Sequence, residues 1–368
     1  MIYYLGTYLQ QRVALLSFLR LVDFISFRAI AGAITALLFT ILVGDRVILF
    51  LYRCGQRDMP RDFVHLPVTS GQAKIYGGPL IVSSIVLSAL LWCRLHIRFA
   101  IICVAAVGWF ALVGALDDWL KVRHRNSGRG LSESGKLALQ IAYATVFAVV
   151  CVVDRLSPLP DGLATRLFVP FVKTPLADLG WAYAAFIVFT VVAIANAVNL
   201  ADGIDGLAIV PVSFAVAVYG VFAYVSSHAG IAGFLIFPFV HGIGEVAVVC
   251  AIVFGACLGF LWFNCYPANV IMGDTGSMAL GGLLGTVAVL VKQEVLFLIV
   301  GGVFVAEAFS SLLQDHLGVR WLGRRFLARA PLHDHFRVRG LADTKIVVRI
   351  WIVAGILALC GLATLKIR

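Results

Sequence analysis

The sequence predicts an all-α, polytopic integral membrane protein with about ten transmembrane helices. Apolar residues make up 61% of the 368-residue chain and charged residues only 13%. The mean hydropathy is +0.99, far outside soluble usage. The apolar runs recur at a length of about 18 residues, enough for a helix to cross a bilayer core. Lys and Arg collect in alternate connections between those runs, the bias that orients membrane proteins. The net charge of +10 is therefore loop charge, and no nucleic-acid partner is expected. Cys54, Cys93, Cys103, Cys151, Cys250, Cys257, Cys265 and Cys360 form no CxxC pair. Most lie in apolar runs and read as small fillers, not as a disulfide frame or a zinc site.

Residues 1–27 read as an amphipathic interfacial lead-in, and without an A-x-A site no cleaved signal peptide is expected. Spans follow at 28–52, 75–92, 99–116, 137–153, 181–199, 207–224, 246–263, 277–291, 295–318 and 346–365. The apolar run 231–240 contains Pro238 and is too short to cross, so it is placed at the interface. With that choice, the connections after the first, third and ninth spans hold sixteen Lys and Arg against ten on the other side. The positive-inside rule puts the first set in the cytoplasm and both termini in the periplasm. No repeat and no soluble domain is evident. The whole chain, 1–368, reads as one transmembrane domain, with 319–345 as a basic cytoplasmic loop.

The chain is organised around WFNCYPANVIMGDTGSMALGG, residues 262–282. It reads as a polar hairpin between two spans, with Asp274 beside a glycine that lets backbone approach a ligand. Alone it could be a connector. Two other hairpins bring acids to the same face, however. Asp117 and Asp118 end the third span, and Asn199, Asp202 and Asp205 end the fifth. Taken singly, Asp117–Asp118 reads as a solvated helix end beside Lys121 and Arg123, and Asp202–Asp205 as a turn. Carboxylates at a helix C-terminus oppose the macrodipole, though, and three such hairpins converge. Clustered Asp at a membrane face suits magnesium, which prefers oxygen ligands and substrate phosphates.

The last connection, RRFLARAPLHDHFRVRG, sets His333 and His335 around Asp334 amid five arginines. A basic, imidazole-bearing loop opposite an acidic site suits a phosphate-rich substrate. The arginines also read as orientation signal and anionic-lipid contact, which leaves the histidines unexplained. Two histidines with no third ligand nearby make a weak zinc site. Glu307 and Gln314 share a face of the ninth span. An intramembrane Glu is either functional or paired to a neighbouring helix, and both readings stand.

The stretches LDDWLKV, GLSESGKLALQ, AVNLADGIDGLA, FLWFNCYPANVIMGDTGS, FVAEAFSSLLQ and APLHDHF, followed by KIVVRIWI, occur in that order. Together they resemble the phospho-N-acetylmuramoyl-pentapeptide transferases, within the polyprenyl-phosphate N-acetylhexosamine-1-phosphate transferase family. The resemblance implies transfer of phospho-MurNAc-pentapeptide from UDP-MurNAc-pentapeptide to undecaprenyl phosphate, giving lipid I and UMP. It implies Mg²⁺ as cofactor, a bacterial cytoplasmic (inner) membrane, surrounding membrane lipid, and a homodimer as one assembly open to the chain. It makes Asp274 the magnesium ligand, Asp117 a base or organiser of the lipid phosphate, and Asp118 and His333 further catalytic residues. It sets Asn199, Leu200, Asp202, Asp205, Asn264, Met272, Gln314, His335, Lys121 and Lys136 around the substrates.

Two departures stand out. The family's Lys-Lys-Gly-Thr-Pro-Thr-Met-Gly-Gly stretch is SGQAKIYGG at 70–78, with Lys74 offset. The family's three histidines are His333–Asp334–His335 here, and no role passes to Asp334. One in-line displacement is the expected course, with a covalent phospho-Asp route as the alternative. The lipid tail is expected in a cleft among the third, fifth, seventh and ninth spans. Two rival functions are transfer of GlcNAc-1-phosphate from UDP-GlcNAc and secondary transport. A carrier would place its polar groups near the midplane, often on repeated halves.

Overall fold

A computed structural model describes residues 1–12, 14–55, 75–124 and 129–366. The lead-in forms α1 (Ile2–Arg12) and a 3-10 segment (Ala14–Asp23). Among the described residues, seven helices are long and apolar enough to cross a membrane. They are α2 (Ile25–Arg53), α4 (Arg98–Arg123), α5 (Glu133–Val152), α6 (Ala182–Ala201), α7 (Ile209–Ser226), α9 (Gly244–Asn264) and α14 (Asp343–Ala363). Between them lie α3 (Gly78–Trp92), α8 (Ala229–Leu235), α10 (Gly273–Leu290), α11 (Phe297–Val300), α12 (Gly302–Leu312) and α13 (Leu332–Val338). The chain is thus a multi-pass helical membrane protein.

Seven rather than ten helices meet the length and hydropathy of a span, and the three others depart for separate reasons. The span expected from residue 75 begins later, because β1 (Ile75–Tyr76) pairs in parallel with β4 (Val270–Ile271). The polar loop expected around Asp274 is instead the first turn of α10, entered through Gly273 at φ +64°. That positive φ is where glycine turns the chain at no steric cost. The span expected at 295–318 breaks at Gly301 and ends in a wide π-helical segment, Leu313–Trp321. A Cβ at Gly301 would collide with the Phe297 ring. The third span is also longer than expected, so Asp117 and Asp118 lie inside α4, not past its end.

The run 231–240 contributes only the seven-residue α8 and an irregular return. The Val240 N–H donates to the Ser226 carbonyl at 2.9 Å, so this excursion leaves and returns at one end of the bundle. The remaining strands, β2 (Arg166–Leu167) and β3 (Ala177–Asp178), make a small antiparallel pair between α5 and α6.

At the centre stands α10, buried at every residue from Thr275 to Leu290. Its glycines admit the neighbouring backbones. A Cβ at Gly281 would lie 2.9 Å from the Ala195 Cα on α6, and one at Gly285 at 2.9 Å from the Val191 Cα. Small residues replace the hydrophobic drive that is absent between helices in lipid. Around this post, α2 and α9 run parallel. Arg28 and Glu245 form a buried bidentate pair at 2.8 and 2.6 Å near their starts. Toward the other end, Gly44 makes room for Phe263.

Candidate active site

The ends of α4, α6 and α9 and the starts of α5 and α10 meet at the end of the bundle away from the Arg28–Glu245 pair. Asp117, Asp118 and Asp274 offer carboxylate oxygens there within 4.8 Å of one another. Two helix-borne lysines stand among them. Lys121 Nζ lies 2.6 Å from Asp117 Oδ2 and 3.3 Å from Asp274 Oδ1. Lys136 Nζ lies 3.3 Å from Asp117 Oδ2 and is bonded to Asp274 Oδ2. Lys121 reaches Asp117 because four residues make one helical turn. Lys136 reaches in because Ser132 caps α5, its hydroxyl accepting the Gly135 N–H at 3.1 Å.

The three acids differ in their partners. Asp117 Oδ1 accepts the Leu131 N–H at 2.8 Å. Asp118 receives the backbone N–H groups of Asp274 and Thr275, which open α10, and the Thr275 hydroxyl. It therefore occupies the positive end of that helix. Asp274 faces the two lysines. A Cβ at Gly114 on α4 would strike the Asp274 carbonyl, so the Asp-bearing turn rests directly on α4.

The fifth-span residues lie alongside. Asn199 Nδ2 donates to Ser277 Oγ at 2.8 Å, and Ser277 donates to the Gly273 carbonyl at 2.8 Å. Asp205 Oδ2 accepts the Ala268 N–H at 3.2 Å. Asp202 is half-buried; its backbone N–H donates to the Asn199 carbonyl at 3.3 Å, and its carboxylate has no hydrogen-bond partner among the described residues. Packing around it, then the negative charges of Asp274, Asp118 and Asp205, push its carboxyl up to about 8. Leu200 is exposed, whereas Met272 is buried against Gly276.

Three expected substrate contacts have polar atoms engaged by backbone. Asn264 accepts the Gly206 N–H at 3.1 Å and donates to the Val270 carbonyl at 2.9 Å. Gln314 accepts the N–H groups of Phe326 and Leu327 and donates to the Leu327 carbonyl. His335 Nδ1 accepts the Ala328 N–H at 3.0 Å. His333 is buried, with Nδ1 3.0 Å from Glu307 Oε2, so the pairing of Glu307, open in the sequence, is to a histidine. Asp334 binds Arg329 Nε at 3.0 Å and Arg337 Nη1 at 3.4 Å.

With this geometry in place, comparison with known proteins is decisive. Residues 77–292 match the model of glycosyl transferase family 4. A phospho-N-acetylmuramoyl-pentapeptide-transferase of Nitratidesulfovibrio vulgaris (strain DP4) is 44% identical over 349 residues, 94% of either chain. Relatives of the same name from Desulfotalea psychrophila and Syntrophus aciditrophicus are 43% identical over 348 residues and 40% identical over 357 residues. These cover 94% and 96% of either chain, respectively. The chain belongs to the phospho-N-acetylmuramoyl-pentapeptide-transferases of glycosyl transferase family 4.

The family match contains all three acids and both lysines, while His333 lies beyond residue 292. Of the divergent stretch at 70–78, the structure describes only Ile75–Gly78, and Lys74 lies outside the described residues. Gly78 is packed against Thr275 and Gly276, so the surviving glycine pair serves the entry to α10. Sequence reasoning missed Thr275, Ser277 and the Leu131 N–H. The first two follow Asp274 directly in MGDTGS, which was the available signal. Leu131 was not legible, because its role is that of a backbone donor.

Proposed function

We propose that this chain transfers phospho-MurNAc-pentapeptide from UDP to undecaprenyl phosphate, releasing UMP and forming lipid I, as a Mg²⁺-dependent enzyme of the bacterial cytoplasmic membrane. The observation that carries the reading is the box of two carboxylates and two ammonium groups made by Asp117, Lys121, Lys136 and Asp274. Relatives over nearly the whole chain are named for this transfer, and the box supplies the charge it needs.

The physical problem is that an anionic lipid phosphate must attack an anionic diphosphate, so charge neutralisation is the main task. An oxygen of the lipid phosphate attacks the sugar-bearing phosphorus in line. The bond from that phosphorus to the bridging oxygen breaks, and UMP leaves with the electron pair. Lys121 and Lys136 turn from the carboxylates to phosphate oxygens and hold the donor. A phosphomonoester has a second pKa of about 6, so the acceptor is largely dianionic at neutral pH. Asp117 then organises the acceptor and takes any residual proton. Asp202, at the end of α6, lies among the residues around the donor. His333 presents its imidazole from the opposite wall.

The all-oxygen donor set of the three acids fits a hard divalent cation. Asp118 is occupied by donors of α10, so Asp274 and Asp117 would hold Mg²⁺. When bound, the ion supplies charge stabilisation for the diphosphate and the departing UMP.

In this reading the chain crosses the membrane ten times, with the site at the cytoplasmic face, both termini periplasmic, and a homodimer as its assembly. The parallel course of α2 and α9 and the one-ended excursion at α8 support that path. An apolar cavity of about 330 Å³, lined by Val303, Leu332, Phe336, Ile350 and Val353, suits the polyprenyl tail. It lies beside α12, α13 and α14, not among the four spans expected from sequence.

The test is UMP release by the purified chain with undecaprenyl phosphate, comparing UDP-MurNAc-pentapeptide with UDP-GlcNAc, with Mg²⁺ or with EDTA. EDTA-sensitive release from the muramoyl donor alone is expected. Release only from UDP-GlcNAc would overturn the substrate, and release that survives EDTA would overturn the metal.

A further inference from the structure

Glu307 touches none of the acids or lysines of the box, yet it is 1% exposed on α12. A carboxylate at such depth is costly unless paired. Among the described residues its carboxylate is held by one residue, engaged twice. Glu307 Oε2 accepts the His333 Nδ1–H at 3.0 Å and the His333 backbone N–H at 3.2 Å. We infer that Glu307 is a positioning residue that fixes the ring of His333 and turns its Nε2 toward the phosphate-binding end of α6. This rests on the transfer reading above.

Three further observations support it. A carboxylate oxygen opposite Nδ1 requires the proton on Nδ1, which leaves Nε2 as the nitrogen facing the substrate. That nitrogen abuts the backbone of Gly203, the residue after Asp202, where a Cβ would overlap it. The other loop histidine is set the opposite way. His335 Nδ1 accepts from a backbone N–H, so it carries no proton and the ring supports residues 326–331. His333 Nε2 is the nitrogen found beside the Asp202–Gly203 turn. The charged groups around it are Glu307, Asp202 beyond Gly203, and Asp334. Asp334 Oδ1 lies 3.9 Å from His333 Nε2 but is drawn to Arg329 and Arg337.

The assignment differs from a purely structural buried pair, because it makes the orientation of an imidazole depend on Glu307. The full chain in lipid nanodiscs, assayed with undecaprenyl phosphate, UDP-MurNAc-pentapeptide and Mg²⁺, tests it. His333→Ala should lose about 10²-fold in kcat, and added imidazole should restore part of that loss. Glu307→Ala should lower kcat by about 10- to 100-fold with little change in KM. The double variant should gain nothing from imidazole. Glu307→Gln, which keeps an acceptor oxygen, should stay closer to the parent than Glu307→Ala and covers the case in which alanine unfolds the chain.

Histidine ¹⁵N NMR reads the ring independently of turnover, and the His333 ring should carry its proton on Nδ1 in the parent. An Nε2–H tautomer there overturns the assignment, as does equal imidazole rescue of the single and double variants. An Nδ1–H tautomer in a parent that releases no UMP would uphold the assignment and sink the transfer reading.

Discussion

Asp118 grips Thr275 twice: one carboxylate oxygen accepts the Thr275 backbone N–H at 2.9 Å and its hydroxyl at 2.6 Å. The other oxygen takes the Asp274 N–H at 3.1 Å. Asp118 therefore fastens the turn that carries Asp274, whereas Asp274 itself faces the lysines. Variants of Asp274 and of the Thr275 hydroxyl that Asp118 grips should separate. Asp274→Asn should abolish turnover while the chain melts near the parent temperature. Thr275→Val, which keeps the shape and deletes the hydroxyl, should cost about 1–3 kcal/mol of stability. Turnover and thermal unfolding of the two variants check this, and an active Asp274→Asn protein would remove that residue from the site.

Gly203 offers a steric test of His333. A methyl group there would overlap Nε2, and the imidazole, held from behind by Glu307, has little room to retreat. Gly203 itself is exposed, so the overlap should cost Gly203→Ala only about 1–3 kcal/mol of stability. Turnover should nevertheless fall by about 10²-fold, as for loss of a positioned acid or base. Full activity in Gly203→Ala would mean that His333 does not need this position.

Asp202 ties stability to pH. Its carboxyl stands at about 8 when folded, against an ordinary value of 3.8. Between those values the folded chain holds a proton that the unfolded chain has lost. The stability linked to that proton is fully present below 3.8, declines as pH rises, and is gone above 8. Asp202→Asn cannot ionise and should escape the decline. Melting curves at several pH values should show the variant gaining on the parent up to about pH 8, then holding a constant lead. A lead independent of pH would contradict the assigned shift.

The Arg28–Glu245 pair fastens the opposite end of the bundle, and Glu245 Oε2 also accepts the Arg94 N–H at 2.9 Å. Removing one partner strands a buried charge, at a cost of about 3–5 kcal/mol. Arg28→Met should lower the unfolding midpoint sharply, and Arg28→Met/Glu245→Gln should recover much of it. Turnover per folded molecule should stay at the parent level in both, because the pair is remote from the acids. Unfolding titrations paired with initial rates make the comparison.

The membrane character, and the meeting of Asp117, Asp118 and Asp274, were legible because apolar run length and loop charge determine which chain ends share a face. Lys121 was legible from its four-residue spacing to Asp117. Other features depend on contacts that no local pattern carries. The break at Gly301 answers to the bulk of Phe297, and the late start of α3 to a strand nearly two hundred residues away. Asn264 and Gln314 have the polarity of ligand contacts, yet their amides satisfy backbone groups of turns that only the fold brings near. The sequence showed Glu307 as an anomaly. Its partner came from a separate helix.

Because α10 is surrounded by protein along its length, it has no side on which bilayer thickness can act. Mismatch between a span and its lipids is relieved by tilting or by thinning the membrane. That strain falls on the outer helices, α2 and α14, whose faces are mostly exposed. The post bearing Asp274 moves only if its protein neighbours do. Membranes of shorter or longer acyl chains should therefore alter the rim of the molecule before they alter the spacing of its charges. A cell can change its lipid composition with growth temperature while this centre keeps one geometry.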